Sequence, residues 1–162
     1  MIKQSTAFPW AQWKLDVSYL KQHLMNWEKI KMAPTPQQAV KDAIKTAGSE
    51  RELKFRDSIH LPFHQVGMSE NLPAIYLCEA DVPEYRDSDW GTSKPEWVGS
   101  KVELLSMEEI IGDTKKVAFL IEASRFKADG TLLQTFNAIF TVANKNGDWR
   151  LISRNPFNVR KA

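Results

Sequence analysis

The stretch VAFLIEASRFKADGTLLQTFNAIFTVANKNGDWRLISRNPF, Val117–Phe157, decides the fold. It holds three β-rich runs, Lys116–Lys127, Thr131–Asn144 and Asp148–Asn155. Asp129-Gly130 and Asn146-Gly147 separate them. Both central residues of a type I′ turn need positive φ, which makes Asp-Gly and Asn-Gly strong hairpin signals. The expectation is a three-stranded antiparallel meander. With two-residue loops at both turns, Lys127 sits opposite Leu132, and the register then sorts every side chain onto one face or the other.

One face collects Val117, Phe119, Ile121, Ala123 and Arg125, then Val142, Phe140, Ala138, Phe136 and Gln134, then Trp149, Leu151, Ser153 and Asn155. It is apolar in the middle and polar toward its ends, so something must pack on it. The opposite face collects Leu120, Glu122, Ser124 and Phe126, then Leu133, Thr135, Asn137, Ile139 and Thr141, then Arg150, Ile152 and Arg154. A mixed face of this kind marks an interface. The expectation is a homodimer, with Glu122, Asn137, Ile139, Ile152 and Arg154 at the contact. A three-residue loop at either turn exchanges the two faces.

Upstream, Trp10, Trp13, Val17, Leu20, Leu24 and Trp27 recur at helical spacing, and their stripe is the candidate cover for the apolar sheet face. Ala33–Pro36 (APTP) breaks that helix. Thr35 offers an N-cap with Pro36 at the first helical position of a second helix. Val40, Ala43, Ile44 and Ala47 form its apolar face, and Gly48 is placed to end it in the left-handed conformation. Ser49–Glu52 has capping-box spacing for a short third helix through Phe55. Asp57–Met68, Ala74–Ala80 and Trp97–Met107 read as further strands. Pro83–Glu96 reads as a loop long enough to serve binding.

Length and composition bound the rest. The chain has 162 residues, 43% of them hydrophobic, which suits a single globular domain over 1–162. A net charge of +2 gives no nucleic-acid footprint. One cysteine, Cys78, excludes an internal disulfide and a Cys-built metal cluster. No apolar run approaches the ~20 residues a bilayer requires, and the first residues lack a signal-peptide core. The expectations are a cytoplasmic protein, no cofactor, no metal and no nucleic-acid or membrane partner.

Helices followed by an antiparallel sheet that ends in a Gly turn and a Trp-Arg-Leu-Ile strand resemble the nuclear transport factor 2-like superfamily. That superfamily includes ketosteroid isomerase-like and SnoaL-like polyketide cyclase proteins. Arg125-x3-Asp129-Gly130, the long strand after it, and Asn146–Ile152 (NGDWRLI) carry the resemblance. Phe55–Phe63 (FRDSIHLPF) looks like the strand that follows the helices in such proteins. The resemblance implies an α+β cone: N-terminal helices on a curved, mostly antiparallel sheet, commonly as a homodimer, with a pocket at the open end. Fold does not transmit function across such a set.

Two readings of function stay open. In one, the cone binds a small apolar or anionic molecule and works as a cofactor-independent isomerase, dehydratase or cyclase by proton transfer. In the other, it is a non-catalytic dimeric binding or protein-interaction module. The candidate polar pocket residues are His60, Tyr76, Arg125, Gln134 and Asn155. Arg125 suits a carboxylate, and His60 suits acid–base work or a wholly structural bond. Trp90 and Trp97 flank the loop and either close it over a ligand or pin it down. No residue is assigned a catalytic role.

Overall fold

The computed structural model describes residues 33–48, 54–67, 73–83 and 94–162, all within one compact unit, Met32–Ala162. The Trp10–Trp27 stripe, the Ser49–Glu52 capping box, Trp90 and most of the Pro83–Glu96 loop lie outside the described residues.

Helix α1 (Pro36–Lys45) starts where Thr35 and Pro36 say it must. The Thr35 hydroxyl accepts from the Gln38 N–H at 3.2 Å, and proline occupies the first turn, where its missing N–H costs nothing. Ala39, Val40, Ala43 and Ile44 form its buried face, which meets β3, β5 and β6 of the sheet. The helix stops at Thr46 in a right-handed conformation, so Gly48 is not its left-handed cap. Gly48 suits its place for another reason. A Cβ there would lie 3.1 Å from the Ser100 carbonyl oxygen, so a side chain would crowd the backbone at the sheet edge.

The described strands are β1 (Ile59–Gln65), β2 (Ala74–Tyr76), β3 (Lys101–Gly112), β4 (Lys116–Phe126), β5 (Leu132–Lys145) and β6 (Asp148–Lys161). They form one sheet in the order β2-β1-β6-β5-β4-β3, and the architecture is α+β. Only β1 and β6 run parallel. In β1 the pairing with β6 breaks between Ile59 and His64, where Pro62 has no N–H to give.

The β4–β5 register is the one expected: Val117 opposite Val142, Phe119 opposite Phe140 and Arg125 opposite Gln134. It is reached by a different route. Lys127 N–H donates to the Thr131 carbonyl at 2.8 Å, so the loop is three residues, Ala128–Gly130. That loop alone would exchange the faces. A bulge cancels it: Phe126 pairs with Leu132 and Arg125 with Gln134, leaving Leu133 as the extra residue. At the other turn Asn146 and Gly147 both take positive φ, 57° and 89°, and Lys145 pairs with Asp148 as a two-residue loop requires.

Strand β6 departs from the expected register. Val142 pairs with Leu151, but Thr141 pairs with Ser153, so Ile152 is a bulged extra residue. Beyond it the two faces exchange. Arg154 stands opposite Phe140 on the inner face, and Ser153 and Asn155 stand opposite Thr141 and Ile139 on the outer one. Arg154 therefore leaves the proposed outer contact, and Asn155 leaves the inner wall. A second irregularity near Asn158 (φ 51°) puts Arg160 opposite Thr135 on the outer face. Pro156 lies past the last β1 partner, where the strand has an open side that tolerates it.

The core lies between α1 and the inner face. Phe119, Ile121, Ala138, Val142 and Leu151 are fully or almost fully buried, together with Val40 and Phe63. Truncating a buried Phe of this kind to Ala costs about 3–5 kcal/mol.

Candidate functional site

The inner wall carries polar side chains at two places, each built around an arginine. The first is the end near the Ala128–Gly130 loop. Arg125 is 4% exposed. Its Nη1 donates to Ser100 Oγ at 2.6 Å and its Nη2 to the Ala47 carbonyl at 2.9 Å. Its guanidinium carbon lies 3.9 Å from the centre of the Trp97 ring. Trp97 also receives the Lys94 ammonium at 4.4 Å. Arg125 thus ties β4 to the chain just beyond α1, where carbonyls favour a cation, and to the start of β3. Gln134, its direct cross-strand partner, is buried, and its amide nitrogen has no hydrogen-bond partner.

The second place lies where β1, β2 and β6 meet. Gln65 pairs with Arg154 on one side and with Ala74 on the other, and Phe63 pairs with Tyr76. Because alternate residues of a strand share a face, Phe63, Gln65, Tyr76 and Arg154 stand together. Arg154 Nη2 donates to Gln65 Oε1 at 2.8 Å, and the Tyr76 hydroxyl points to the same oxygen at 3.5 Å. The Arg154 guanidinium lies over the Phe55 ring at 4.5 Å. Phe55 meets Phe63 edge-on (5.5 Å, 86°), and Phe63 stacks on Tyr76 (5.9 Å, 14°). The result is an aromatic floor, buried at Phe55 and Phe63, under a half-buried guanidinium, amide and phenol. Six residues of β5 separate Gln134 from Phe140, the partner of Arg154, so the two arginines stand roughly 20 Å apart along the sheet.

His60 belongs to neither group. Its Nε2 donates to the Asp148 carbonyl at 2.9 Å, and the nearby Lys145 ammonium donates to the Leu61 carbonyl at 2.7 Å. Burial pushes its pKa down, with Lys145 and Arg150 acting the same way against the smaller pull of Asp148, so the ring is neutral near pH 7. Arg150 Nε donates to Asp148 Oδ2 at 2.6 Å. His64, four residues on, is exposed on β1. No group of three or more His, Cys, Asp or Glu side chains able to hold a metal occurs among the described residues.

Of the expected pocket residues, the structure brings Arg125 and Gln134 together at one end, sets Tyr76 beside Arg154 toward the β2 edge of the sheet, and leaves His60 apart. On the outer face Glu122 and Asn137 do pair across β4 and β5. The arginine that joins them is Arg160, through Glu122 Oε1 at 2.7 Å and Asn137 Oδ1 at 3.2 Å. Gln65, Phe55 and Phe63 were not singled out as site residues in the sequence. Their convergence depends on the β1–β6 parallel pairing, which no local pattern encodes.

No protein-family model matches the sequence, and no curated protein matches it. Solved structures match its fold. A protein of unknown function with a cystatin-like fold from Nostoc punctiforme superposes with a TM-score of 0.58 at 10% identity, over 76% of this chain and 87% of that one. A structure from Catenulispora acidiphila in complex with S-DNPA gives 0.51 at 12% identity, over 86% and 93%. A nuclear transport factor 2-like protein with a cystatin-like fold from Novosphingobium aromaticivorans gives 0.50 at 11% identity, over 89% and 90%. The superpositions establish a common fold.

Proposed function

We propose, from the premise that this chain has the cystatin-like, nuclear transport factor 2-like fold, that it is a small-molecule-binding domain. Its ligand lies on the inner wall where β1, β2 and β6 meet. One observation carries this reading: the Arg154–Gln65–Tyr76 cluster stands half-buried on an aromatic floor. A few convergent polar groups over apolar and aromatic side chains are the usual make-up of a ligand site. Arg125 supports the reading by contrast, because its two terminal nitrogens already serve the fold. The test is a residue-resolved NMR titration with a panel of neutral, cationic and anionic fragments. Shifts grouped on Gln65, Tyr76 and Arg154 are expected. Shifts confined to the outer face, or no shifts at all, overturn the proposal.

Proton-transfer chemistry, as in an isomerase, dehydratase or cyclase, is the second reading, and His60 favours it. A neutral imidazole that donates from Nε2 keeps its lone pair on Nδ1, where it can act as a base. Base-dependent deuterium exchange at a carbon of a bound ligand, lost in His60→Gln, is the result expected of an enzyme. Exchange unchanged in that variant removes His60 from the chemistry.

The assembly we propose is a homodimer through the outer sheet face. Ile111, 73% exposed, and Phe157 stand on that face with half-buried Leu120 and Ile139. The Glu122–Arg160–Asn137 network sits among them. Sedimentation at micromolar concentration checks this: a dimer that Ile139→Asp dissociates is expected, and a monomeric parent chain refutes it.

A further inference from the structure

We infer that Asn146 is a site of spontaneous covalent modification, deamidation through a succinimide, and that the side chain of Asn144 sets its rate. Asn146 is the one asparagine in the sequence followed by glycine. Both residues of the turn are exposed, at φ 57° and 89°. The reaction needs only the chain and water. The Gly147 nitrogen gives up its proton and attacks the side-chain carbon Cγ of Asn146, and the new N–C bond closes a five-membered ring. The Cγ–Nδ2 bond breaks, and that nitrogen leaves as ammonia, with a proton in place of the one Gly147 lost. Water then opens the ring at either carbonyl, leaving aspartate or isoaspartate. Glycine admits the attack because no side chain crowds its nitrogen.

The folded turn holds back the first step. Gly147 N–H donates to Asn144 Oδ1 at 2.8 Å. An amide anion cannot donate, so this bond stabilises the resting turn and not the nucleophile. Asn144 is held in position for it: its own N–H donates to the Lys115 carbonyl at 2.8 Å, and it pairs with Trp149 across the hairpin. The other glycine turn is an internal comparison. Asp129 precedes Gly130, whose N–H donates to the Lys127 carbonyl at 2.9 Å. The Asp129 carboxylate accepts from the Thr131 N–H at 2.9 Å and from the Thr131 hydroxyl at 2.7 Å, which hold its pKa below the ordinary value. An ionised carboxylate resists a nitrogen nucleophile, so that turn keeps its aspartate. At Asn146 the consequence reaches beyond the turn. Isoaspartate puts one more carbon into the main chain of a loop across which Lys145 pairs with Asp148. Those two flanking residues are also clips to β1, through the Lys145 ammonium on the Leu61 carbonyl and His60 Nε2 on the Asp148 carbonyl.

The experiment ages the full chain in mildly alkaline buffer and follows each asparagine by peptide mass spectrometry, with an isoaspartate methyltransferase to tell the two products apart. Asn146 is expected to convert ahead of every other asparagine, while Asp129 stays aspartate. Asn144→Ala removes the acceptor, and conversion about three- to tenfold faster is expected, the range that one neutral hydrogen bond allows. Asn144→Asp accepts the same bond and repels the forming anion, so it reacts no faster than the parent chain. In urea the bond does not exist, and there the parent chain and Asn144→Ala convert at one rate. Urea unfolding of Asn144→Ala separates this from a general loss of stability, since the acceleration must exceed the rise in unfolded fraction. Four results each overturn the inference: Asn146 converting no faster than the other asparagines, an unchanged rate in Asn144→Ala, a difference that persists in urea, or an acceleration no larger than the gain in unfolded chain.

Discussion

Arg125 and Arg154 stand on the same wall of the same sheet, yet their surroundings give them opposite roles. Arg125 is buried and spends its terminal nitrogens on Ser100 and the Ala47 carbonyl, with Trp97 against its face. It joins β4, the start of β3 and the end of the helical segment. Arg154 is half-buried and shares one amide oxygen with a tyrosine. One of its partners, Gln65, is a side chain that can rotate, whereas one of Arg125's partners is backbone that cannot. A cation fixed by backbone builds a fold.

That contrast makes graded predictions. Arg125→Ala should cost most, on the order of 3 kcal/mol in urea unfolding. It opens a cavity and leaves Ser100 and the Ala47 carbonyl buried without their donor. Ser100→Ala should cost about 1–2 kcal/mol, because it removes the acceptor for one Arg125 nitrogen in a site closed to water. Arg154→Ala should cost less, about 1 kcal/mol, because the side chain is only half-buried and water replaces part of what it loses. If Arg154→Ala proves as damaging as Arg125→Ala, the division of roles between the two arginines is wrong.

The sequence revealed the meander and hid the site for one reason. Alternation and Gly turns are local signals, and they gave β4–β5 pairing to the residue. Bulges are not local signals. The one at Leu133 silently cancelled a three-residue loop, so the inner and outer faces of β4 and β5 came out as read. The one at Ile152 had nothing to cancel, and it moved Arg154 inward and Asn155 outward. Pro156, just past the third run, is the available hint that β6 is not an ordinary central strand. Tyr76 is a candidate for the wall from the sequence alone, but the residues it works with come from β1 and β6. Their position there follows from a parallel pairing across some 90 residues of chain, Gln65 with Arg154, which leaves no mark in either segment.

His60 sharpens the comparison from a third direction, as a polar side chain that the fold keeps uncharged. Its Nε2–H bonds the Asp148 carbonyl, and burial, Lys145 and Arg150 all oppose a proton on Nδ1, with only Asp148 favouring it. The folded pKa therefore lies below the ordinary value of 6.5. Between the two values the unfolded chain binds more protons than the folded one, so unfolding free energy rises with pH across that interval. The contribution is fully present above about pH 6.5 and is lost as the pH falls toward the folded pKa. Urea midpoints measured from pH 7 down to pH 5 should decline, and His60→Gln, which keeps an N–H donor but cannot titrate, should remove part of that decline. The effect is the smallest of the series, since the ring is only partly buried and water screens its neighbours. A slope unchanged in the variant would mean that His60 is as free to accept a proton in the folded chain as in the unfolded one, and the fold would then not be what keeps that ring neutral.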